Sequence, residues 1–262
     1  MPIEVVGRGM IGRAFASHAN DLPNAIVCAS GVADSQCTDP LAFRRELKLV
    51  EELAQRAAAE DCPMVYLSGA PVYGLARRKH VESDGVAPAT PYGRHKLECE
   101  ETIASSGARY LVLRLPNVVG SAGNPNQLIP SLVAQVSDGH VFVRSDATRD
   151  LLDVDDVVRV VGALIRRGAA DAVLNVASGV STPVVRLAEE IAAILGVSPT
   201  VTLVDGGDPQ EFSTVLVRGL LPDYPRFDQN YPTTVLYRRV PSIYRALKGA
   251  AFEASSYAIE PS

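Results

Sequence analysis

Short apolar runs alternate with longer stretches of helical periodicity through the first half of the chain. Residues 3–6 form an apolar run that stops at Gly7-Arg8-Gly9-Met10-Ile11-Gly12, and residues 13–19 continue in a helical pattern. A second run at 25–29 closes on Ser30-Gly31. Asp39-Pro40 then opens a long helix, in which Leu41, Leu47, Leu49, Val50, Leu53 and Ala57 recur at helical spacing to about Ala59. Residues 64–67 form a third run, broken by Ser68-Gly69, and the polar, Gly- and Pro-bearing stretch 75–90 reads as a surface loop. Pro91 starts a helix from Tyr92 to about Ser105, and a fourth strand at 110–113 ends in Arg114-Leu115-Pro116-Asn117. From Gln127 to about Leu247, helices at 127–137, 154–167 and 184–195 mix with strands at 141–143, 173–176 and 200–204. The Ala/Ser-rich tail after Gly249 reads as loose.

Apolar strands alternating with helices predict βαβ units and a parallel sheet covered on both faces. Right-handed crossovers gather the strand carboxyl ends on one edge, where ligands bind in such sheets. The glycine turn, Ser68-Gly69, Tyr92 and Pro116-Asn117 all fall at or near that edge. No linker or repeat divides the 262 residues. One domain is expected: a core sheet over about 1–120 with parts of 140–180, and a smaller lobe over about 121–140 and 180–248.

Composition narrows the function classes. The chain is 47% hydrophobic and 21% charged with a net charge of −5, and its longest basic run is Arg77-Arg78-Lys79. Nucleic acid is not expected as a partner, because phosphate binding needs a concentrated basic surface. Cys28, Cys37, Cys62 and Cys99 form no CxxC pair and read as buried, reduced thiols. His18, His80, His95 and His140 lie apart without acidic partners at ligand spacing, so no metal site is expected. No leader pattern or membrane-length apolar run is seen, and a cytoplasmic protein without membrane contact is expected.

Two motifs carry candidate chemistry. Gly7-x-Gly9-x-x-Gly12, between a strand and a helix, allows a tight turn and a close backbone approach. It places a helix N-terminus where free N–H groups and the dipole favour a pyrophosphate. The alternative is a glycine turn without a ligand. Arg8 could meet an extra phosphate, such as the 2′-phosphate of NADP, or lie solvated. Tyr92-x-x-x-Lys96 puts a phenol and an ammonium on one helical face. The ammonium would lower the phenol from its usual value near 10 by roughly one to three units, toward acid–base work. The bland alternative is a surface pair.

Read together, the motifs resemble the extended short-chain dehydrogenase/reductase family, the NAD-dependent epimerases/dehydratases. Pro91-Tyr92-Gly93-x-x-Lys96-Leu97-x-x-Glu100 is similar to its catalytic helix, and Tyr66 to Gly74 to its Ser-Ser-x-x-Val-Tyr-Gly strand end. Arg114-Leu115-Pro116-Asn117-Val118-Val119-Gly120 is similar to its R-x-x-N-V-Y-G segment. Residues 126–130, 148–156 and 175–179 match further motifs in the family's order. The resemblance implies a Rossmann-like doubly wound parallel sheet with a small α/β substrate lobe, acting as an oxidoreductase or epimerase on a dTDP- or UDP-linked keto-sugar. A 4-ketoreductase of deoxysugar synthesis is the leading form. It implies Tyr92, Lys96 and Ser68 as catalytic residues, with Lys96 also holding the nicotinamide ribose. NAD(P) is implied as cofactor, NADP marginally ahead, against Gly7, Arg8, Gly9, Met10, Ile11, Gly12, Ala29, Ser30, Leu67, Tyr92, Lys96 and Pro116. The nucleotide sugar would meet Gly69, Asn117, Asn126, Gln127, Leu128 and Arg149. Arg149 could instead pair with Asp153 or Asp155. A homodimer through the long helices is implied by the same analogy.

Three departures bear on that implication. The family's catalytic Ser/Thr falls on Gly69 when counted back from Val72, so Ser68 serves by a shifted register or the role is vacant. Val6 stands at a family glycine, and the family's helix Asn corresponds to about Arg44. Residues 13–24 cannot hold both a helix and a further strand with its crossover, so roughly two βα units are missing. The sheet is then reduced at its N-terminal side, the usual adenosine pocket is absent, and strand 3–6 becomes an edge. Two other readings follow from these departures: a redox-inactive relative using Tyr92 and Lys96 for isomerisation or elimination, and a non-catalytic binding subunit.

Overall fold

The structure, a computed structural model, describes residues 3–74, 79–121 and 123–256. Arg77 and Arg78 of the basic run, and the last six residues of the tail, lie outside the described residues. In chain order the elements are β1 (Glu4–Val6), α1 (Met10–Ser17), β2 (Ile26–Cys28), α2 (Pro40–Ala59), β3 (Met64–Gly69), α3 (Pro91–Ser105), β4 (Tyr110–Leu115), β5 (Asn117–Val119) and α4 (Leu128–Ser137). There follow β6 (His140–Arg144), β7 (Thr148–Asp153), α5 (Val154–Arg166), β8 (Ala172–Asn175), β9 (Ser181–Pro183), α6 (Val184–Leu195), β10 (Thr200–Val204), α7 (Val215–Leu220) and α8 (Tyr231–Ser256).

Local chemistry sets the two helices that matter most for the site. Asp39 caps α2, its carboxylate accepting from Leu41 N at 2.8 Å, and Pro40 stands in the first turn, where no N–H is needed. Thr90 caps α3 in the same way through Gly93 N at 3.0 Å, again followed by a proline.

The main sheet is parallel, ordered β1-β2-β3-β4-β8. Successive residues of each strand face opposite layers. Val27, Val65, Leu111 and Leu113 pack with Phe15 of α1 and Val157 and Val161 of α5. Ile26, Cys28, Met64, Tyr66 and Val112 pack with Val50 and Leu53 of α2 and Ile103 of α3. The sheet is therefore wound on both faces, as expected.

The order of the strands makes the N-terminal reduction concrete. Among the described residues β1 pairs with β2 alone, so it is the sheet edge that the short 13–24 connection predicts. The strands advance in one direction, yet α1 covers the face opposite α2 and α3. The β1–α1–β2 crossover thus has the opposite hand to the two units after it. Because the chain leaves β1 toward one face and β2 toward the other, a crevice opens at their carboxyl ends.

A second core joins α4, α6, α8 and β6, with Ile129, Val133, Val141, Leu187, Ile191 and Leu236 fully or nearly buried. Here β6 pairs with β10, and β7 sits between β5 and β9. Arg239 of α8 reaches back to Asp153 and Asp155 at 2.5 and 2.6 Å, tying this part to β7 and the start of α5. Helix α8 corrects the reading of a loose tail, since it runs to Ser256. Pro232 and Pro241 hide it in the sequence: the first falls in the opening turn, and the second interrupts the interior. Strands β5 and β9, of three residues each, are too short for a periodic signal, and β7 (Thr148-Arg149-Asp150-Leu151-Leu152-Asp153) has neither an apolar run nor a polar–apolar alternation.

Candidate active site

A cleft of about 720 Å³ runs along the carboxyl edge of the sheet, between the loops after β2, β3 and β4 and the start of α4. That is within the size range of small-molecule sites. Ile11, Ala29, Ser30, Leu67, Ser68, Gly69, Tyr92, Lys96, Pro116, Asn117, Asn126, Gln127, Leu128 and Arg149 all line it. Gly7, Arg8, Gly9, Met10 and Gly12 stand outside that lining, at the turn beside it.

The three turn glycines divide by role. Gly7 has φ +133°, and a Cβ there would lie 2.4 Å from the Ala29 backbone; a Cβ on Gly12 would lie 2.3 Å from Gly7 O. Both are demanded by packing of the turn on itself and on the end of β2. Gly9 is different: nothing lies within 4 Å of its missing Cβ, and it opens α1 without a side-chain cap. It leaves a clear approach to free N–H groups. Arg8 is exposed, and its carbonyl accepts from Arg13 Nη1 at 2.9 Å. Met10 fills a gap that Gly120 provides, since a Cβ there would lie 2.6 Å from the Met10 sulfur.

Tyr92 is half-buried against the cleft, and its hydroxyl makes no hydrogen bond to a described residue. Lys96 lies beneath, with Nζ 5.6 Å from the Tyr92 ring centre. It donates to Glu46 Oε1 at 2.7 Å and to Tyr66 OH at 3.3 Å, leaving one of its three protons uncommitted among the described residues. The expectation of a lowered phenol is reversed here. Burial raises the Tyr92 pKa above its usual value, outweighing the pull of Lys96, and the Glu46 carboxylate adds to the rise. Tyr92 therefore holds its proton at neutral pH.

Glu46 is the residue the sequence reading missed. The family's helix position was matched to Arg44, which is exposed, whereas Glu46 is 3% exposed and faces the site. Its signal was a lone carboxylate on the apolar stripe shared with Val50, Leu53 and Ala57. His95 Nε2 donates to it at 3.0 Å across 49 residues, which corrects the view that the histidines lack acidic partners. Glu46, His95 and Cys99 bring metal-ligand atoms within 4.8 Å of one another. An ammonium already occupies that carboxylate, and burial pushes the Cys99 thiol up to about 12, so Glu46 serves as the acceptor of a hydrogen-bonded cluster. Of the cysteines, Cys28, Cys62 and Cys99 are buried and Cys37 is half-buried.

The Ser68 hydroxyl is engaged within the protein. It donates to Glu100, which also accepts from Arg114 Nη2 at 2.7 Å, and the group is almost fully buried. Gly69 stands at the cleft in extended backbone, and a Cβ there would meet only Pro71 Cδ at 3.4 Å and Leu115 O at 3.7 Å. Position 69 thus has room for a hydroxyl that the chain does not supply.

On the far wall, Asn117 Nδ2 donates to Asp150 O at 3.3 Å and Gln210 Oε1 at 3.2 Å. Asn126 Nδ2 donates to Asp34 Oδ2 at 3.2 Å, and Gln127 is the N-cap of α4 without a side-chain bond. Arg149 does not pair with Asp153 or Asp155, which Arg239 holds. Its guanidinium donates to Asp208 O at 2.8 Å and lies 3.5 Å from Asp208 Oδ1. It is thereby fixed at the cleft wall with part of its fork free.

A family model described as the NAD dependent epimerase/dehydratase family matches residues 11–177. The chain belongs to that family. GDP-6-deoxy-D-mannose reductase from Pseudomonas aeruginosa is 28% identical over 198 residues, 66% of this chain and 64% of that protein. The chain's match spans less than two thirds of that relative's own length. Two solved structures share the fold. UDP-N-acetylglucosamine 4-epimerase from Bacillus cereus superposes with a TM-score of 0.76 at 18% identity, over 94% of this chain and 96% of that one. RMD from Pseudomonas aeruginosa complexed with NADPH superposes with a TM-score of 0.69 at 24% identity, over 92% and 89%. No described helix is long and apolar enough to cross a membrane.

A nicotinamide dinucleotide, which the family's name implies, fits this chain at one end. The free proton of Lys96, the open approach at Gly9 and the uncapped start of α1 suit a ribose and a pyrophosphate. The adenosine end lacks its usual support. No described strand lies beyond β1, and the position about 20 residues past the turn, where an acidic ribose ligand is expected, falls on or next to β2 instead.

Proposed function

We propose that the protein is a nicotinamide-linked enzyme of nucleotide-sugar metabolism, acting on a dTDP-, UDP- or GDP-linked keto-sugar. The observation that carries this reading is Tyr92: a phenol whose hydroxyl makes no hydrogen bond to a described residue, facing a cleft, four residues from a buried ammonium. Bound nicotinamide would supply the hydride. Tyr92 gives its proton to the carbonyl oxygen being reduced, and Lys96 directs its remaining proton at a ribose hydroxyl. Asn117 and Arg149 face the diphosphate, for which a guanidinium fork is suited. The GDP-6-deoxy-D-mannose reductase relative favours the reductase direction. NADP is preferred through Arg8, and two copies pair through α2 and α3 in the cytoplasm. Sedimentation near twice 27.9 kDa is the expected result for that dimer.

A second reading, proton transfer or binding without nicotinamide, is favoured by the edge position of β1 and by Gly69. Melting curves with NADH, NADPH and nucleoside diphosphates separate the two. A ligand at a hundredfold its dissociation constant adds about 2.7 kcal/mol of stability. Stabilisation by NADPH or NADH supports the first reading. No shift at millimolar cofactor, with a shift from dTDP, UDP or GDP, overturns it in favour of the second.

A further inference from the structure

The Glu46 carboxylate accepts four hydrogen bonds from three separate pieces of chain. Val32 N at 2.7 Å comes from the loop after β2, and Tyr66 OH at 2.9 Å from β3. His95 Nε2 at 3.0 Å and Lys96 Nζ at 2.7 Å come from successive residues of α3. The loop lies so close that a Cβ on Gly31 would sit 2.4 Å from Glu46 Oε1. A buried carboxylate is costly unless paired and hydrogen-bonded, and this one is saturated. The partners could simply hold the fold together. The geometry at Lys96 says more: the ammonium is in direct contact with Glu46, whereas the Tyr92 ring centre is 5.6 Å away. An anion fixed against a cation cancels much of the field that the cation exerts on a third group beyond it.

We propose that Glu46 is a positioning residue for proton transfer: it anchors Lys96 under the Tyr92 ring and offsets the ammonium's pull on the phenol, so that Tyr92 acts as a proton donor. The proposal rests on the reading of Tyr92 as the proton-transfer group. The charged and titratable groups that act on Tyr92 are Lys96 on its own helix, Glu46 from α2, and Asp34 and Cys37 from the loop after β2. Burial is the largest influence and raises the phenol; among the charged groups Lys96 alone favours the phenolate, and Glu46 opposes it.

The test needs neither substrate nor cofactor. Tyrosinate absorbance near 295 nm, titrated against Tyr92→Phe as the blank, isolates Tyr92 from the other eight tyrosines of the nine present. Glu46→Gln should lower the Tyr92 midpoint by about one unit or more, and Lys96→Gln should raise it. Glu46→Gln combined with Lys96→Gln should bring it back near the wild-type value. The double variant removes both buried charges and is the better tolerated of the set, so it stands if Glu46→Gln fails to fold. A Glu46→Gln midpoint equal to wild type, or a double variant equal to Lys96→Gln alone, would overturn the proposal. Failure of the underlying reading shows elsewhere, as turnover retained in Tyr92→Phe.

Discussion

At the residue scale the site rests on one phenol and one ammonium a helical turn apart. Tyr92→Phe should fold as the parent does and lose on the order of 10²- to 10⁴-fold in turnover, the usual worth of a general acid, as read by kcat beside a melting curve. Ser68→Ala should behave in the opposite way. It removes a hydrogen bond to the Glu100 carboxylate and should cost about 1.5–3 kcal/mol of stability with kcat little changed. Gly69→Ser suits the extended backbone there, and its Cβ would approach nothing closer than 3.4 Å, so it should fold and raise kcat if a hydroxyl is what the site lacks. Such local relations were legible in the sequence, because an i,i+4 pair needs only a helix. Glu46–His95, Glu46–Lys96 and Arg149–Asp208 were not, since 49, 50 and 59 residues separate them and only the tertiary fold brings them together.

At the element scale the glycine turn contains two kinds of glycine. Gly7→Ala must adopt φ +133° with its methyl against the Ala29 backbone, and should cost roughly 1–3 kcal/mol or more of folding stability. Gly9→Ala meets no neighbour and should cost at most about 1 kcal/mol, the loss of a better N-cap residue. Its methyl would nonetheless obstruct whatever approaches the start of α1, which a binding titration with NADPH would register as weakened affinity. Glu46 joins α2, α3, β3 and a loop, and this gives an acid sensitivity. Burial opposes its ionisation, but the bonds from His95 and Lys96 hold it down to about 2 against an ordinary 4.5. A carboxylate depressed in this way stabilises the fold above pH 4.5, and that contribution is lost as pH falls toward 2. Melting temperature should fall through that window in the parent, and less steeply in Glu46→Gln. The α2 and α3 boundaries were legible because caps and prolines mark them. Helix α8 was not, because Pro241 imitates a helix end inside a helix that packing on α4 and α6 sustains.

At the scale of the molecule, the short connection between α1 and β2 shapes the sheet. The connection after α1 leads straight to β2, so β1 ends the sheet and one of the two mononucleotide halves of a dinucleotide fold is cut to a single strand. This was legible from spacing alone, because counting residues between two turns requires no knowledge of packing. Nicotinamide mononucleotide in its reduced form should bind within about tenfold of NADH, a difference of some 1.4 kcal/mol, when the two are compared by fluorescence titration. The most direct test of the whole account follows a label. With 4-deuterated NADPH and a nucleotide-linked 4-keto-sugar, the product should gain one deuterium on the sugar carbon in the parent, and gain it on the order of 10²- to 10⁴-fold more slowly in Tyr92→Phe although both ligands still bind. Deuterium delivered at the parental rate by Tyr92→Phe, or absent from the parent with both ligands bound, would contradict it.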